Sequence, residues 1–284
     1  MSSGHPKPVE LLHLRPPGAM PFVLAVEPQG DDVIVPTMRS AGVWEVAETV
    51  LTLRTLRPGM HVIDAGAHVG YYSVLFSRCV GPEGWVLAFE PEPNNYRLLS
   101  ANLLLNDCRN AQAKALALAA SAGRDSLYLS PNNLGDHRLL PTRGRRSVGV
   151  QTIDLDTIIG SETVDFVKMD TQGAEPRVLA GMKGIIHNNR ERLACMIEFA
   201  PGLLAQAGTS VAQFAQQLGD LGAMAYGIAL ESHNLILQRL HPLETGLANL
   251  AAQLATHGQV DASTDLLLLF GEVAERDWLA RYCG

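Results

Sequence analysis

Val62-Ile63-Asp64-Ala65-Gly66-Ala67-His68-Val69-Gly70 is an apolar run that enters a glycine turn, and the chain continues from Tyr71 to Cys79 with a helical pattern. Strand, tight turn and helix in that order open the ligand-binding half of a doubly wound α/β sheet. Gly66 lets the backbone bend sharply and approach a ligand, and Gly70 lets the helix pack against the strand. Asp64 then closes the strand and faces the crevice.

The next apolar run, Leu87-Ala88-Phe89-Glu90-Pro91, ends in an acid twenty positions after Gly70. A carboxylate there accepts hydrogen bonds from the two vicinal hydroxyls of a ribose, so the pair of motifs points to an adenosine. The glycine spacing is Gly66-x-x-x-Gly70 rather than G-x-G-x-x-G, and Asp64 stands where a pyrophosphate would have to approach. An anion would meet a like charge there, whereas the methionine ammonium of S-adenosyl-L-methionine would be oriented by it. The expected cofactor is therefore S-adenosyl-L-methionine. Two alternatives remain from sequence: an NAD(P)-dependent dehydrogenase, for which no Tyr-x-x-x-Lys pair is present, and a non-catalytic adenosyl-binding scaffold.

Beyond these motifs the apolar runs His61–Ala65, Trp85–Phe89, Ala113–Leu118, Val164–Met169, Leu193–Phe199, Ala223–Leu230 and Leu266–Phe270 alternate with helical stretches. The alternation predicts a mainly parallel, seven-stranded, doubly wound sheet covered on both faces. Helices are expected over Val43–Leu56, stopped by Pro58-Gly59, and over Val211–Leu221 and Leu243–Ala255. Residues 1–42 read as an N-terminal extension and cap. They comprise a loose lead-in to residue 20 and a hairpin of Phe22–Val26 with Val33–Val35 about the turn Pro28-Gln29-Gly30-Asp31-Asp32. Residues 43–284 would form the cofactor-binding domain. Asn132–Ser147, polar and basic between strand-like segments, is the expected loop over the site.

At 284 residues and 47% hydrophobic content the chain can bury a full core. Its net charge of −7, without a long basic run, argues against nucleic acid. Cys79, Cys108, Cys195 and Cys283 are scattered and suggest neither a zinc site nor a disulfide framework, which fits a reducing cytoplasm. No apolar stretch reaches the roughly 18 to 20 residues that cross a bilayer, so no membrane association is expected. A homodimer is a reasonable expectation on general grounds.

Taken together, Trp44-Glu45, the segment Asp64 to Ser73, Phe89-Glu90-Pro91 with Asn94, and Val164-Asp-Phe-Val-Lys-Met-Asp170-Thr-Gln-Gly173-Ala-Glu175 resemble the signatures of the FkbM family of methyltransferases. The resemblance covers about residues 40 to 200. It implies a class I methyltransferase fold, O-methylation of a hydroxyl, and a natural product or sugar as acceptor. The chain departs from the family pattern at His68, where Asn is frequent, and at Thr171-Gln172-Gly173, where Asp/Val-Glu-Gly is frequent. The candidate cofactor residues are Asp64, Gly66, Ala67, His68, Gly70, Tyr71, Glu90, Pro91 and Asn94.

Methyl transfer is an in-line displacement that needs the acceptor oxygen about 3 Å from the methyl carbon and a group to take its proton. Asp170 follows an apolar run and projects into the crevice. Glu175 opens the following helix and resembles the family pattern, but fits equally an acid that meets the helix dipole. His137 lies in Asn132-Asn133-Leu134-Gly135-Asp136-His137-Arg138 and is the side chain most easily tuned to accept a proton. His137, Asp170 and Glu175 are thus the catalytic candidates, and Asp136, Arg138, Gln172 and Glu198 the candidates for holding a hydroxylated small-molecule acceptor. Asp170 and Glu198 should stand on neighbouring strands, where two carboxylates can hold Mg²⁺. No third adjacent carboxylate accompanies them, so no metal is assigned.

Overall fold

The computed structural model describes residues 8–28, 31–232, 234–258 and 261–283. The first seven residues, Gln29 and Gly30 of the expected turn, and the Cys283 side chain lie outside that description. The chain opens with β1 (Glu10–Leu14) and β2 (Phe22–Val26), an antiparallel ribbon in which Leu12 faces Leu24. Helices α1 (Ile34–Ala41) and α2 (Val46–Thr55) follow. The hairpin partner of β2 is therefore β1, and Val33–Val35 is not a strand. The Asp31 carboxylate accepts the N–H groups of Val33 and Ile34 at 3.0 and 2.8 Å, which starts a helix. Pro36 is tolerated in that first turn but would cost a strand its ladder bond.

Next come β3 (His61–Ala65), α3 (Tyr71–Val80), β4 (Trp85–Phe89), α4 (Pro93–Leu105), β5 (Ala111–Lys114), β6 (Ala117–Leu118), β7 (Gly123–Tyr128), β8 (Ser147–Ile153) and α5 (Leu155–Ile159). The chain then forms β9 (Phe166–Met169), α6 (Glu175–Ala180), α7 (Lys183–Asn189), β10 (Ala194–Phe199), α8 (Pro201–Gln206), α9 (Val211–Asp220), β11 (Met224–Glu231), β12 (Asn234–Arg239), α10 (Leu243–Ala255), β13 (Thr264–Leu269) and α11 (Glu272–Cys283).

The central sheet has the order β12-β11-β13-β10-β9-β3-β4-β5, with β5, β4, β3, β9 and β10 parallel to one another and β13 antiparallel to both β10 and β11. The mainly parallel, doubly wound α/β sheet is as the alternating pattern requires, with one strand more than the seven expected. The extra strand, β12, pairs antiparallel with β11 at the edge. Its Asn, Gln and Arg residues keep it from reading as an apolar run. The run Ala113–Leu118 divides: β5 ends in the main sheet, while β6 joins β7 and β8 in a separate three-stranded sheet. β7 and β8 carry mostly polar residues, because one face of this small sheet is exposed.

Period-two alternation sorts the strands between two cores. Ile63, Val167, Cys195, Ile197 and Leu268 pack on one face with α5 to α10, whereas Val62, Phe166, Met196 and Leu267 pack on the other with α2, α3 and α11. The second face changes chemistry at its carboxyl edge. Two positions past Val62 comes Asp64, past Ala88 comes Glu90, and past Met196 comes Glu198; Phe166 leads to Lys168 and then Asp170. The pattern that builds the core thus delivers a row of ionisable side chains to the mouth of the sheet.

Two amides anchor the ribbon there. Asn102 of α4 accepts from Ala25 N at 2.6 Å and donates to the carbonyls of Ala25 at 3.0 Å and Val69 at 2.7 Å, while Asn106 donates to Val23 O at 2.7 Å. Opposite, the loop between β7 and β8 folds back through paired backbone bonds of Tyr128 and Arg138. It docks on α1, where a Cβ on Gly135 would meet Ile34 Cδ1 at 2.3 Å. No helix among the described residues is long and apolar enough to cross a membrane.

Candidate functional site

Between the carboxyl edge of the sheet, the ribbon-side helices and the β7–β8 loop lies a cavity of about 300 Å³. Its first half is built by the β3 turn. Gly66 has φ +84°, and a Cβ there would stand 1.9 Å from Asp170 O, so only glycine fits between β3 and β9. The N–H groups of Gly66 and Ala67 both donate to Phe89 O, at 3.0 and 2.9 Å, which locks the turn onto β4. His68 has φ +50°, in the left-handed region that Asn and His tolerate better than most residues, which accounts for this departure from the family pattern. Gly70, with φ +93°, starts α3 and packs on Leu99.

Asp64 is buried and accepts from Ser73 Oγ at 2.6 Å; burial, opposed by Lys168, pushes its carboxyl up to about 6. Glu90 is also buried and accepts the N–H of His68 at 2.9 Å and of Glu92 at 2.8 Å. Burial pushes it up to about 8, against the pull of those two donors. Tyr71 turns its hydroxyl away to Thr49 Oγ1 at 3.0 Å while its ring lines the cavity, and Pro91 lines it beside Glu90. Asn94 is exposed and lies outside the cavity. Its neighbour Asn95 takes the place expected of it: Asn95 is buried, lines the cavity and donates to Leu134 O at 2.9 Å, tying α4 to the β7–β8 loop. Pro93 at the first helical position and Glu92 capping Asn95 N at 2.8 Å set that phase.

The second half gathers Asp170, Gln172, Glu198, Asp136, His137 and Arg138. Asp170 accepts from Lys168 Nζ at 3.2 Å and from Gln172 Nε2 at 2.8 Å, yet its side chain remains 26% exposed to the cavity. The same Gln172 amide donates to Glu198 Oε2 at 3.0 Å, so the two acids on neighbouring strands share one donor group. Burial, and then Asp170, Glu175 and Asp265, raise the Glu198 carboxyl well above its ordinary range. Among the described residues no group of three or more His, Cys, Asp or Glu side chains is arranged to hold a metal ion.

Two catalytic candidates change role. Glu175 is 1% exposed and does not reach the cavity; it accepts Thr171 N and Oγ1, both at 2.9 Å, and Gly173 N at 3.0 Å. It holds the turn after β9 in shape. His137 does line the cavity, but its Nδ1 accepts the Ser130 N–H at 3.1 Å. With that bond made, the neutral ring carries its proton on Nε2. Asp136 is paired with both Arg138 and Arg145, and Arg138, with a side chain only 3% exposed, also reaches Asp261 at 2.8 Å. These residues close the loop against the segment before β13 as well as facing the cavity.

Sequence reasoning missed Lys168, Glu45 and Tyr72. Lys168 interrupts an otherwise apolar central strand, a signal visible in the run itself, since strands buried on both faces read as near-continuous apolar runs. Burial opposes its charge, but Asp170, Glu45, Asp265 and Asp64 outweigh burial and hold the ammonium above its ordinary range. Its Nζ lies 4.0 Å from Glu45 Oε2 and 4.6 Å from the centre of the Tyr72 ring. The buried His68 Nε2, on a residue that lines the cavity, makes no hydrogen bond, while Tyr72 Oη and Glu45 Oε2 lie against each other and Lys168 without a well-formed one. The His68 atom calls for a polar ligand. With an acid under the glycine turn and a second acid after β4, the first half fits S-adenosylmethionine.

The model of the methyltransferase FkbM domain matches residues 64–223. Methyltransferase sdnD of Sordaria araneosa is 32% identical over 155 residues, 43% of this chain and 60% of that protein. A protein-L-isoaspartate O-methyltransferase of Triticum aestivum is 32% identical over 80 residues, 28% of this chain and 31% of that protein. The chain thus spans less than two thirds of the curated relatives it matches. Among solved structures, the precorrin-6y C5,15-methyltransferase of Geobacter metallireducens aligns with a TM-score of 0.42 at 12% identity, covering 79% of this chain and 88% of that one. The glycine turn, both acids after β3 and β4, and the β9 motif with its turn all fall within or at the start of the matched family segment, and the chain belongs to the FkbM family of S-adenosylmethionine-dependent methyltransferases.

Proposed function

We propose that this chain transfers a methyl group from S-adenosylmethionine to a hydroxyl of a small molecule, a natural product or sugar, with Asp170 as the proton acceptor. The observation that carries the reading is the Asp170 carboxylate, fixed by Lys168 and Gln172 yet open to the cavity beside the Gly66 turn. Bound S-adenosylmethionine supplies a methyl on a positively charged sulfur. Asp64 and Glu90 would hold its methionine and ribose ends, and a bound sulfonium would favour ionisation of both carboxyls, which burial holds at about 6 and about 8 in the unliganded protein. A hydroxyl becomes strongly acidic as its oxygen gains a third bond, to the incoming methyl, so a carboxylate is base enough to take the proton, provided it is in reach. His137 Nε2, as a donor, would orient the acceptor instead of deprotonating it.

The cavity volume of about 300 Å³ and the net charge of −7 support a small acceptor over a nucleic acid. Asp170→Asn should lower kcat by about 10² to 10⁴-fold while S-adenosylmethionine affinity stays within about threefold. Single-turnover kinetics with calorimetric titration of the cofactor separate the two, and a variant with unchanged kcat removes Asp170 from the role.

A further inference from the structure

The glycine turn sets an imidazole where the two halves of the cavity meet. Asp64, near the end of β3, stands where the methionine end of the cofactor would lie, and Glu90, just past β4, where its ribose would lie. His68 gives its backbone N–H to Glu90 Oε2 at 2.9 Å and is thereby anchored at the ribose acid. Its ring lines the cavity, and after burial the charges that act on it most are Asp170 and then Lys168. In S-adenosylmethionine the atom that joins ribose, methionine and the transferable methyl is the sulfur. A side chain anchored at the ribose acid and lying in the field of the acid that faces the acceptor therefore belongs to the sulfur end.

The ring itself suits that place. Its Nε2 is buried and, among the described residues, meets no hydrogen-bond partner. A buried nitrogen in that state is costly until a ligand completes it. Burial, opposed by Asp170 and aided by Lys168, pushes the imidazole down to about 4, so at neutral pH it sets no like charge against a cation. The φ of +50° admits Asn as readily as His, so the backbone alone does not explain why an imidazole stands here. A carboxylate or a hydroxyl oxygen would be met by an Nε2–H, whereas a sulfonium and the polarised hydrogens of its methyl would be met by the lone pair. With Asp170 the foremost charge on the ring, a carboxylate there would face a like charge and a sulfonium an opposite one.

We infer that the lone pair of His68 Nε2 meets the sulfonium and its methyl, which makes His68 the residue that tells the charged methyl donor from the neutral S-adenosylhomocysteine left after transfer. The inference rests on the cofactor reading of the first half and is independent of which acceptor or base completes the reaction. Once the sulfur is neutral, Nε2 is again without a partner, and the spent cofactor is held less firmly.

S-adenosylmethionine, S-adenosylhomocysteine and sinefungin share adenosine and amino acid and differ in charge at the sulfur position, where sinefungin has a carbon that bears an ammonium. Calorimetric titration of the three into wild type, His68→Leu and His68→Asn reads the contact without any acceptor. Measured against S-adenosylhomocysteine, His68→Leu should weaken S-adenosylmethionine about fivefold and sinefungin, which can donate a full hydrogen bond, about tenfold or more. His68→Asn suits the left-handed turn but carries a shorter amide. It should hold S-adenosylhomocysteine within about twofold of wild type and still lower the preference for S-adenosylmethionine about threefold. Should His68→Leu not fold, His68→Asn alone decides. Equal weakening of all three ligands assigns Nε2 to the methionine carboxylate or to the shape of the turn, and unchanged affinity for all three assigns it to the acceptor; either overturns the inference. Wild-type protein that binds none of the three overturns the cofactor reading along with it.

Discussion

The acids that close β3 and β4 and those that close β9 and β10 stand on one face of one sheet, yet they are held by different kinds of contact. Asp64 takes its bond from Ser73, nine residues on, and Glu90 takes its bonds from the backbone of His68 and Glu92. Asp170 and Glu198 are instead tied together by the side chain of Gln172, and Asp170 to Lys168, whose own surroundings come from α2 and β13. A site fixed mainly by backbone donors, with a single serine hydroxyl, holds one shape whatever else varies. A site fixed by side chains from distant elements can be retuned by single substitutions, as suits the half that meets the acceptor.

Gly66 is where the two halves touch, and Gly66→Ala is the harshest test of their separateness. The added Cβ would collide with the Asp170 carbonyl and force φ +84° on an alanine. A loss of about 3 kcal/mol or more in urea unfolding is expected, with cofactor binding and turnover failing together. A variant that keeps wild-type stability would mean that the strands are not so closely spaced.

Glu175→Ala separates shape from chemistry within the β9 turn. Removing the carboxylate strands the donors of Thr171 and Gly173, which should cost about 2 kcal/mol. The rate per folded molecule should stay within a few-fold of wild type. A fall in kcat of a hundredfold without loss of stability would restore Glu175 to the reaction.

The same comparison explains how far the sequence could be read. The glycine turn, both strand-end acids and the sheet are legible because each shows within a short run of sequence, as a glycine spacing, an acid ending an apolar run or a period-two alternation. The sequence offers Asn94 and the structure turns Asn95 inward, because the helical phase after Pro93 decides which of two adjacent amides faces the cavity. The β-branched residues of Val33–Val35 favour a strand, but Asp31 and Pro36 carry a helix-start signal, and the helix prevails. The Glu45–Lys168–Asp265 grouping had no such signature, since its members come from α2, β9 and β13 and meet only in the fold.

Burial of carboxylates in both halves gives the unliganded protein a definite pH response. Asp64 is pushed to about 6, Glu45 and Glu175 to about 7 and Glu90 to about 8, all by burial first. Each native group keeps its proton where the unfolded chain, titrating near 4, has lost it. The native state therefore binds more protons, and stability falls as pH rises from about 4 through 8. His68, pushed down to about 4 by burial, opposes this below about 6.5, one group against four. Thermal midpoints should be several degrees higher at pH 5 than at pH 8.5, and S-adenosylmethionine should recover more stability at the higher pH, where Asp64 is ionised. A midpoint that climbs with pH contradicts the burial of these acids.

The finest test concerns His137. With Nδ1 filled by the Ser130 N–H, the ring can offer only a donor to the cavity. His137→Gln keeps a donor of similar reach, and His137→Phe keeps the volume without it. The Phe variant should raise the acceptor KM by about three- to tenfold with kcat nearly unchanged, and the Gln variant should recover part of that loss. Were His137 the base, both variants would lose kcat alike and the acidic limb of the pH–rate profile would vanish. The division between a cofactor half set by local backbone bonds and an acceptor half set by side chains would then need redrawing, because the proton would leave through the β7–β8 loop instead of the carboxyl edge of β9.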